Sequence, residues 1–490
     1  VTYEDKLLQY ETLVAAQAVQ IQDLKAQINT LQKLIFGQKS ERFVNSELSP
    51  DQMGLFSGEP PEMTIPKVQE ISYERKEKKK HTGRQPLPDH LPVDEVIIEP
   101  KEDVRGLKYI GKEVTDTLDY QPATLKIIRY IRHKYVERGA SEDRIVIGQL
   151  PSRPINKGIA QAGLLSHLFV SKFVDHLPFY RQIKMFKRDH KVDVSQSTLN
   201  DWFINCCTLL EPLYCALKQK VISCDYLQAD ESPIKVLASE KKGKTHQGYQ
   251  WVYHDIVEGL VLFNYRKGRG KHGPKEILKD YQGYLQCDGW HTYDLFKSTE
   301  GITLVGCLVH ARRKFIEAQQ SDAERSATAL EIFKAIYSIE RKYKALAMPT
   351  EKDDSNRNGD IQTLLVQLKE WIDAESNKIL PKSPIGKAMT YFIRQWPKLK
   401  NVTLDSIIQL DNNLIENKIR PLALGRKNYL FAGNHASAQR IAMMYSFFAT
   451  CQIHNVNPWE WLKDVLSRLP DHPINQIDQL LPNIWKPIKG

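Results

Sequence analysis

Between Val221 and Leu308 the apolar pattern runs through strand-like stretches in a fixed order. Tyr226–Val236, Tyr249–His254 and Val261–Tyr265 come first, a helical stretch near Pro274–Tyr281 follows, and Gly283–Asp288 and Ile302–Leu308 close the series. Short β-branched and aromatic runs bounded by turn residues fold as strands. The expected product is an α/β sheet with a helix crossing between its third and fourth strands.

Three strands, a helix and two more strands is the order of a ribonuclease-H-like sheet. In that topology the first and fourth strands are neighbours. Asp230, inside the first, and Asp288, ending the fourth, then meet in space although 288 − 230 = 58 positions separate them. A third carboxylate, Glu416, stands in Leu410–Pro421 (LDNNLIENKIRP), where Asp411 is placed to cap a helix carrying Glu416 and Arg420 one turn apart on one face. Each has a plainer reading alone: a ladder aspartate, an Asp-Gly turn, a solvent-facing helix glutamate. Their joint placement raises them to a candidate site. Glu231 points to the opposite face of a regular strand and ranks second. Phosphoryl transfer on DNA needs an oxygen nucleophile activated and a leaving oxygen stabilised, and two hard cations about 4 Å apart do both. Mg²⁺, with Mn²⁺ as substitute, takes oxygen ligands and keeps several waters, so Asp230, Asp288 and Glu416 suffice as catalytic and metal-holding residues.

At 490 residues the chain exceeds one simple core. Lys and Arg number 69 against 59 Asp and Glu, and the net charge of +10 favours a polyanionic partner such as double-stranded DNA. The N-terminal stretch repeats in heptads, with Leu7, Val14, Ile21, Ile28 and Ile35 at one seam position and Tyr3, Tyr10, Gln17, Leu24 and Leu31 at the other. β-Branched residues at the first and Leu at the second favour a parallel two-stranded coil, so 1–36 is read as a coiled-coil dimerisation helix and the chain as a homodimer. The alternative is a single amphipathic helix packed on its own chain. Residues 37–90, with the basic run Arg75–Lys80, read as a linker. Residues 91–155 alternate as a small β module, in Val96–Ile98 and Leu125–Ile131. The chain opens at Val1, so a short piece is expected before it. No signal peptide and no run of eighteen apolar residues is present, and none of Cys206, Cys207, Cys215, Cys224, Cys287, Cys307 and Cys451 forms a C-x-x-C pair. Buried free thiols and a cytoplasmic, nucleoid-associated setting are expected, with no membrane partner.

Residues 156–220 read as a helical DNA-binding domain. Candidate helices Phe179–Arg188 and Ser197–Cys207 resemble a helix-turn-helix, with Ser195 or Ser197 as cap and Lys184, Lys187, Arg188 and Lys191 near phosphates. A plain helical pair remains the alternative. The core is divided, 221–310 and 401–450, by a helical insertion over 311–400 that the polar loop Glu351–Asp360 is expected to break, and 451–490 closes the fold with an amphipathic helix around Trp459, Trp461, Leu462, Val465 and Leu466. His310, Arg312, Arg313 and Lys314 after the fifth strand, with Arg420, Arg426 and Lys427 on and after the Glu416 turn, are candidate DNA contacts; surface salt bridges are their plainer role. Gly268–Gly273 (GRGKHG) lacks the spacing of a phosphate loop, so no nucleotide is expected.

The chain resembles the bacterial DDE transposases of the insertion-sequence-66 type along nearly its whole length. The resemblance rests on Phe36–Glu41 (FGQKSE), Gly83–Pro88 (GRQPLP), Leu118–Ala123 (LDYQPA), Val170–Gln182 (VSKFVDHLPFYRQ), Ala229–Leu237 (ADESPIKVL), Val309–Phe315 (VHARRKF) and Arg420–Asn434 (RPLALGRKNYLFAGN). It implies a transposase that binds terminal inverted repeats, cleaves strands and joins 3′-hydroxyl ends to target DNA, with Asp230, Asp288 and Glu416 as acidic triad and small accessory proteins as partners. Many relatives carry two C-x-x-C pairs after the linker; here Glu102–Gly106 and Glu137–Ala140 hold no cysteine, so no zinc is expected. Two rivals stay open: a nuclease of the same fold that does not join, and a DNA-binding regulator without catalysis. Deleting residues 1–36 is expected to halve the mass measured by light scattering; a mass reduced only by the deleted residues would refute the coiled-coil dimer.

Overall fold

The computed structural model describes residues 125–131, 133–137, 144–147, 150–156, 158–237 and 244–487. The heptad segment, the linker and the Val96–Ile98 run lie outside them. Contacts divide the chain into two units, one over 55–148 and the other comprising 1–54 and 149–490.

In the first unit, β1 (Lys134–Glu137) pairs antiparallel with β2 (Arg144–Ile147). The expected strand Leu125–Ile131 is not one. Its backbone joins no ladder, and Ile127 and Ile131 are 91% and 74% exposed. Alternation marks a strand only where a partner strand supplies hydrogen bonds, and among the described residues of this unit pairing starts at Lys134.

Among the described residues the larger unit opens with α1 (Ala162–Phe173), α2 (Phe179–His190) and α3 (Gln196–Ile222). Of the two candidate caps it is Ser195 that accepts from Thr198 N, at 3.0 Å. The second helix runs to Ile222, far past Cys207, because Leu199, Phe203, Leu210, Leu213 and Leu217 keep one stripe buried. Five strands follow: β3 (Tyr226–Leu237), β4 (Thr245–Asp255), β5 (Leu260–Arg266), β6 (Gly283–Cys287) and β7 (Ile302–Val305), with the short α4 (His272–Ile277) before β6. The sheet order is β5-β4-β3-β6-β7, antiparallel among the first three and parallel from β3 through β7. The strands stand in the expected succession.

An edge strand exposes unpaired amides, which α10 (His435–Ile453) takes up on β5. Thr450 Oγ1, Ser446 Oγ and Gln439 Oε1 accept from Val261, Phe263 and Tyr265 N at 3.2, 2.8 and 3.2 Å. α11 (Pro458–Arg468) buries Trp461, Leu462, Val465 and Leu466, as its pattern indicates, while Trp459 stays half-buried with its indole N–H on Gly163 O.

Between β7 and α9 (Asn413–Tyr429) come α5 (Leu308–Ala318), α6 (Ala323–Lys344), α7 (Glu351–Ser376) and α8 (Pro384–Leu399), around a second core of Phe315, Phe333, Ile361, Leu365, Leu368 and Phe392. The expected break at Glu351–Asp360 is a correction, for this stretch forms the opening turns of α7. Thr350 accepts from Asp353 N while Asp353 Oδ2 accepts from Thr350 N at 2.9 Å, a reciprocal cap that the polar composition conceals. Arg357, 1% exposed at its side chain, donates to Glu340 Oε2 at 2.7 Å and to Ile408 O at 2.9 Å. Among the cysteines Cys215 is exposed and Cys224 half-buried, against the expectation that all are buried. Removing one partner of a buried ion pair strands the other, so Arg357→Ala is expected to cost about 3–5 kcal/mol in denaturant unfolding; a loss under about 1 kcal/mol, the range of exposed pairs, would make this pair incidental.

Candidate active site

Four buried polar side chains fix the site's geometry. Gln228 and Gln286 are fully buried on the adjacent strands β3 and β6. Gln228 Nε2 donates to Gln286 Oε1 at 2.9 Å and to Asp411 O at 2.8 Å, and its Oε1 accepts from Ile415 N at 3.2 Å. Gln286 Nε2 donates to Gln409 O at 2.7 Å and Gly306 O at 3.1 Å, and Tyr226 OH accepts from Gln409 N at 3.0 Å. Cys307 Sγ accepts from Asn412 N at 3.4 Å. The start of α9 is thereby bolted to the sheet, and Glu416 sits in its first turn.

β3 and β6 run parallel with Ala229 opposite Cys287, so Asp230 and Asp288 are the next residues along two neighbouring strands. Burial is the largest influence on the Asp230 carboxyl and pushes it well above the usual carboxylate range; the charges of Glu231, Asp288 and Glu416 push the same way, and the Glu231 amide on Oδ1 at 2.7 Å opposes them. Glu416 is also raised, by burial first, with Arg313 opposing and Asp411 and Asp288 adding. Asp288 Oδ1 accepts from Trp290 N at 2.9 Å. The three predicted carboxylates therefore share one electrostatic neighbourhood. Among the described residues no group of three His, Cys, Asp or Glu side chains is drawn together tightly enough to form a ready metal site. The donors nonetheless suit a hard dication, being carboxylate oxygens whose mutual repulsion such an ion relieves.

The remaining candidates divide. His310 Nε2 lies 3.8 Å from Glu416 Oε1, its Nδ1 is buried without a partner, and burial lowers its basicity against the pull of Asp288. Arg313 projects its field onto Glu416, whereas Lys314 pairs with Glu317 at 2.8 Å. Arg312 is half-buried and engaged within the protein. Arg420 is half-buried one turn beyond Glu416. Arg426 is spent on Ser232 Oγ at 2.8 Å and Pro233 O at 2.6 Å, tying α9 to β3, and Lys427 is exposed with an internal partner. On α2, Lys184 is exposed, Lys187 pairs with Asp193 at 3.2 Å and Arg188 with Asp189 at 2.5 Å. Asp411 does not cap α9: the cap residue is Asn412, and Asp411 accepts from Asn413 N at 3.0 Å and Tyr337 OH at 3.3 Å.

Sequence reasoning ranked Glu231 second and missed two contributors, Arg269 and Tyr391. Glu231 is buried against Arg269, which arrives from the loop after β5. Tyr391 of α8 closes on the turn after Asp288, so near that a Cβ on Gly289 would stand 2.6 Å from its hydroxyl. Only the Gly after Asp288 hinted at that close approach.

Residues 157–440 match the family described as Transposase IS66 family, 23–96 match Transposase C of IS166 homeodomain, and 446–483 match the IS66 C-terminal element. The chain belongs to the IS66 family of transposases. Similar proteins in Sinorhizobium fredii (strain NBRC 101917 / NGR234) include Uncharacterized protein y4jD, 30% identical over 95% of this chain and 94% of its own length, and Uncharacterized protein y4qI, 30% identical over 95% and 89%. No helix among the described residues of this IS66 transposase is long and apolar enough to cross a membrane.

Because Asp230 and Glu416 are raised, the native transposase keeps protons that the unfolded chain has lost. The stability this brings is full below the ordinary carboxylate range of about 4 and drains away as pH rises through the raised values. Asp230→Asn is expected to flatten that slope and, without metal at neutral pH, raise the melting temperature by about 1–2 °C, the effect of ~1 kcal/mol at an unfolding entropy of about 2.1 cal/mol/K per residue in a unit of this size. An unchanged or lower melting temperature would mean that Asp230 carries no burial penalty.

Proposed function

We propose that this IS66 transposase binds the terminal inverted repeats of a mobile element as a coiled-coil homodimer, hydrolyses a strand at each end and joins the freed 3′-hydroxyls to target DNA. The sheet serves as a ribonuclease-H-like core, and Asp230, Asp288 and Glu416 are its catalytic, metal-holding carboxylates. The observation that carries the reading is the parallel register of β3 and β6, which sets Asp230 beside Asp288, together with the coupling of both to Glu416.

In this reading Asp230 supplies a rigid oxygen from within β3 and Asp288 one from the end of β6, and Glu416 completes the set from a helix pinned to β3 by Gln228. Mg²⁺ bound there, with Mn²⁺ as substitute, would activate the attacking oxygen and stabilise the leaving one. Trp290 N donates to Asp288 and so orients it, and Tyr391 packs against the turn behind it. Arg313, whose charge acts on Glu416, offers positive charge beside the acids, where phosphates must approach, and Lys184 of α2 and Arg420 of α9 are further candidate phosphate contacts. Small accessory proteins and a cytoplasmic, nucleoid-associated site of action belong to the same reading.

The test is a paired-end assay with DNA carrying the terminal repeats that flank the coding sequence. Asp230→Asn, Asp288→Asn and Glu416→Gln are each expected to abolish cleavage and joining while DNA affinity stays within about threefold, a change of less than ~1 kcal/mol. Cleavage by the wild-type protein without joined product would reduce the function to a nuclease. DNA binding with no cleavage in any protein would leave only a regulator.

A further inference from the structure

Glu231 follows Asp230 on β3 and faces the other side of the sheet. Its side chain is 2% exposed and that of Arg269 39%. Arg269 Nε and Nη2 converge on the same oxygen, Glu231 Oε1, at 2.7 and 2.6 Å, and Oε2 is left buried without a partner. The guanidinium carbon stands 3.6 Å over the Trp290 ring, and Trp290 N is the group that holds Asp288.

An Arg-carboxylate pair frequently spreads two parallel bonds over two oxygens. Here one edge of the fork is anchored on a single oxygen and one face is stacked on an indole. An arginine has five N–H groups, and these contacts consume two of them. An oriented, stacked, half-exposed guanidinium with unspent donors is how planar phosphate recognition is built. The loop admits a ligand: a Cβ on Gly270 would meet nothing within 4 Å, and one on Gly268 only a backbone nitrogen at 3.9 Å. Lys271 and His272 beside it are exposed. Charge completes the case, since a DNA strand approaching Asp230, Asp288 and Glu416 meets repulsion that a cation on the opposite side from α9 offsets.

We propose that Arg269 is a phosphate-binding residue of this site: anchored by Glu231 and stacked on Trp290, it holds a phosphodiester of the DNA strand lying across β3 where β6 ends beside it. Glu231 is its positioning residue and not a metal ligand. The inference rests on the transposase reading given above and adds to it the residue that grips the strand.

The experiment measures binding of the full-length protein to a fluorescent duplex carrying the flanking terminal repeat, over a salt series with Ca²⁺ in place of Mg²⁺, and cleavage in Mg²⁺ separately. Loss of one phosphate contact reduces the slope of log K against log salt by about 0.9. Arg269→Ala and Arg269→Gln are expected to show that reduction. Arg269→Lys keeps the slope and loses cleavage rate at saturating DNA, because the charge survives and the planar fork does not. Glu231→Gln keeps the slope, slows cleavage, and is not repaired by added Mg²⁺. Folded Ala and Gln variants with the wild-type slope would overturn the proposal, and repair of Glu231→Gln by Mg²⁺ would put Glu231 on the metal instead. An Arg269-dependent slope in a protein that never cleaves keeps the phosphate contact and sinks the transposase chemistry; normal cleavage with an unchanged slope does the reverse. A wild-type protein that binds no duplex overturns both.

Discussion

Two glutamines hold the architecture together. Gln228 and Gln286 carry an amide each into a fully buried layer, where every unmet donor or acceptor costs about 1–3 kcal/mol. They meet that cost with each other and with the backbone of Gln409, Asp411 and Ile415, the segment that returns from the helical insertion. No apolar contact would specify the position of a returning chain so closely, since packing tolerates sliding where hydrogen-bond geometry does not. The sheet, the insertion and α9 are thereby locked in one register, and Glu416 inherits its position from the lock.

Much of this was legible in the sequence. Strand order could be read because each run between Tyr226 and Val305 is short, β-branched or aromatic, and bounded by turn residues. Asp230 and Asp288 follow from that order, since a parallel β3–β6 pair makes them neighbours. What could not be read depends on partners distant in sequence. A glutamine on a strand looks like a solvated ladder residue until its acceptors are known. The polar stretch after Thr350 reads as a loop because its helix is secured by a reciprocal cap and by one buried arginine. Leu125–Ile131 errs in the opposite direction, having the alternation of a strand with no ladder to join. Arg269 sits in a glycine-flanked basic loop that resembles many surface loops, and only the burial of Glu231 gives it a direction.

Electrostatically the site is organised around a deficit. Asp230, Glu231 and Glu416 all have their charged forms disfavoured by burial, and Arg269 and Arg313 offset this for Glu231 and Glu416. Among the described residues no arginine is a leading influence on Asp230, whose burial is opposed by the amide of its neighbour. The insertion adds to the same region through Tyr391, so it is part of the wall of the site as well as a domain with its own core.

The arrangement also has a history in time. Asp230 and Glu416 are 416 − 230 = 186 positions apart, and the latch that seats the second on the first is completed only by residues 409–415. At a synthesis rate of about 5–20 residues per second, the ribosome spends on the order of 10–40 s between them. Throughout that interval the nascent chain displays α1–α3 and the first strands but lacks both the third carboxylate and α10, whose side chains seal the β5 edge. A message cut or a ribosome stalled within the insertion therefore releases a sticky, unsealed sheet with an incomplete acidic cluster.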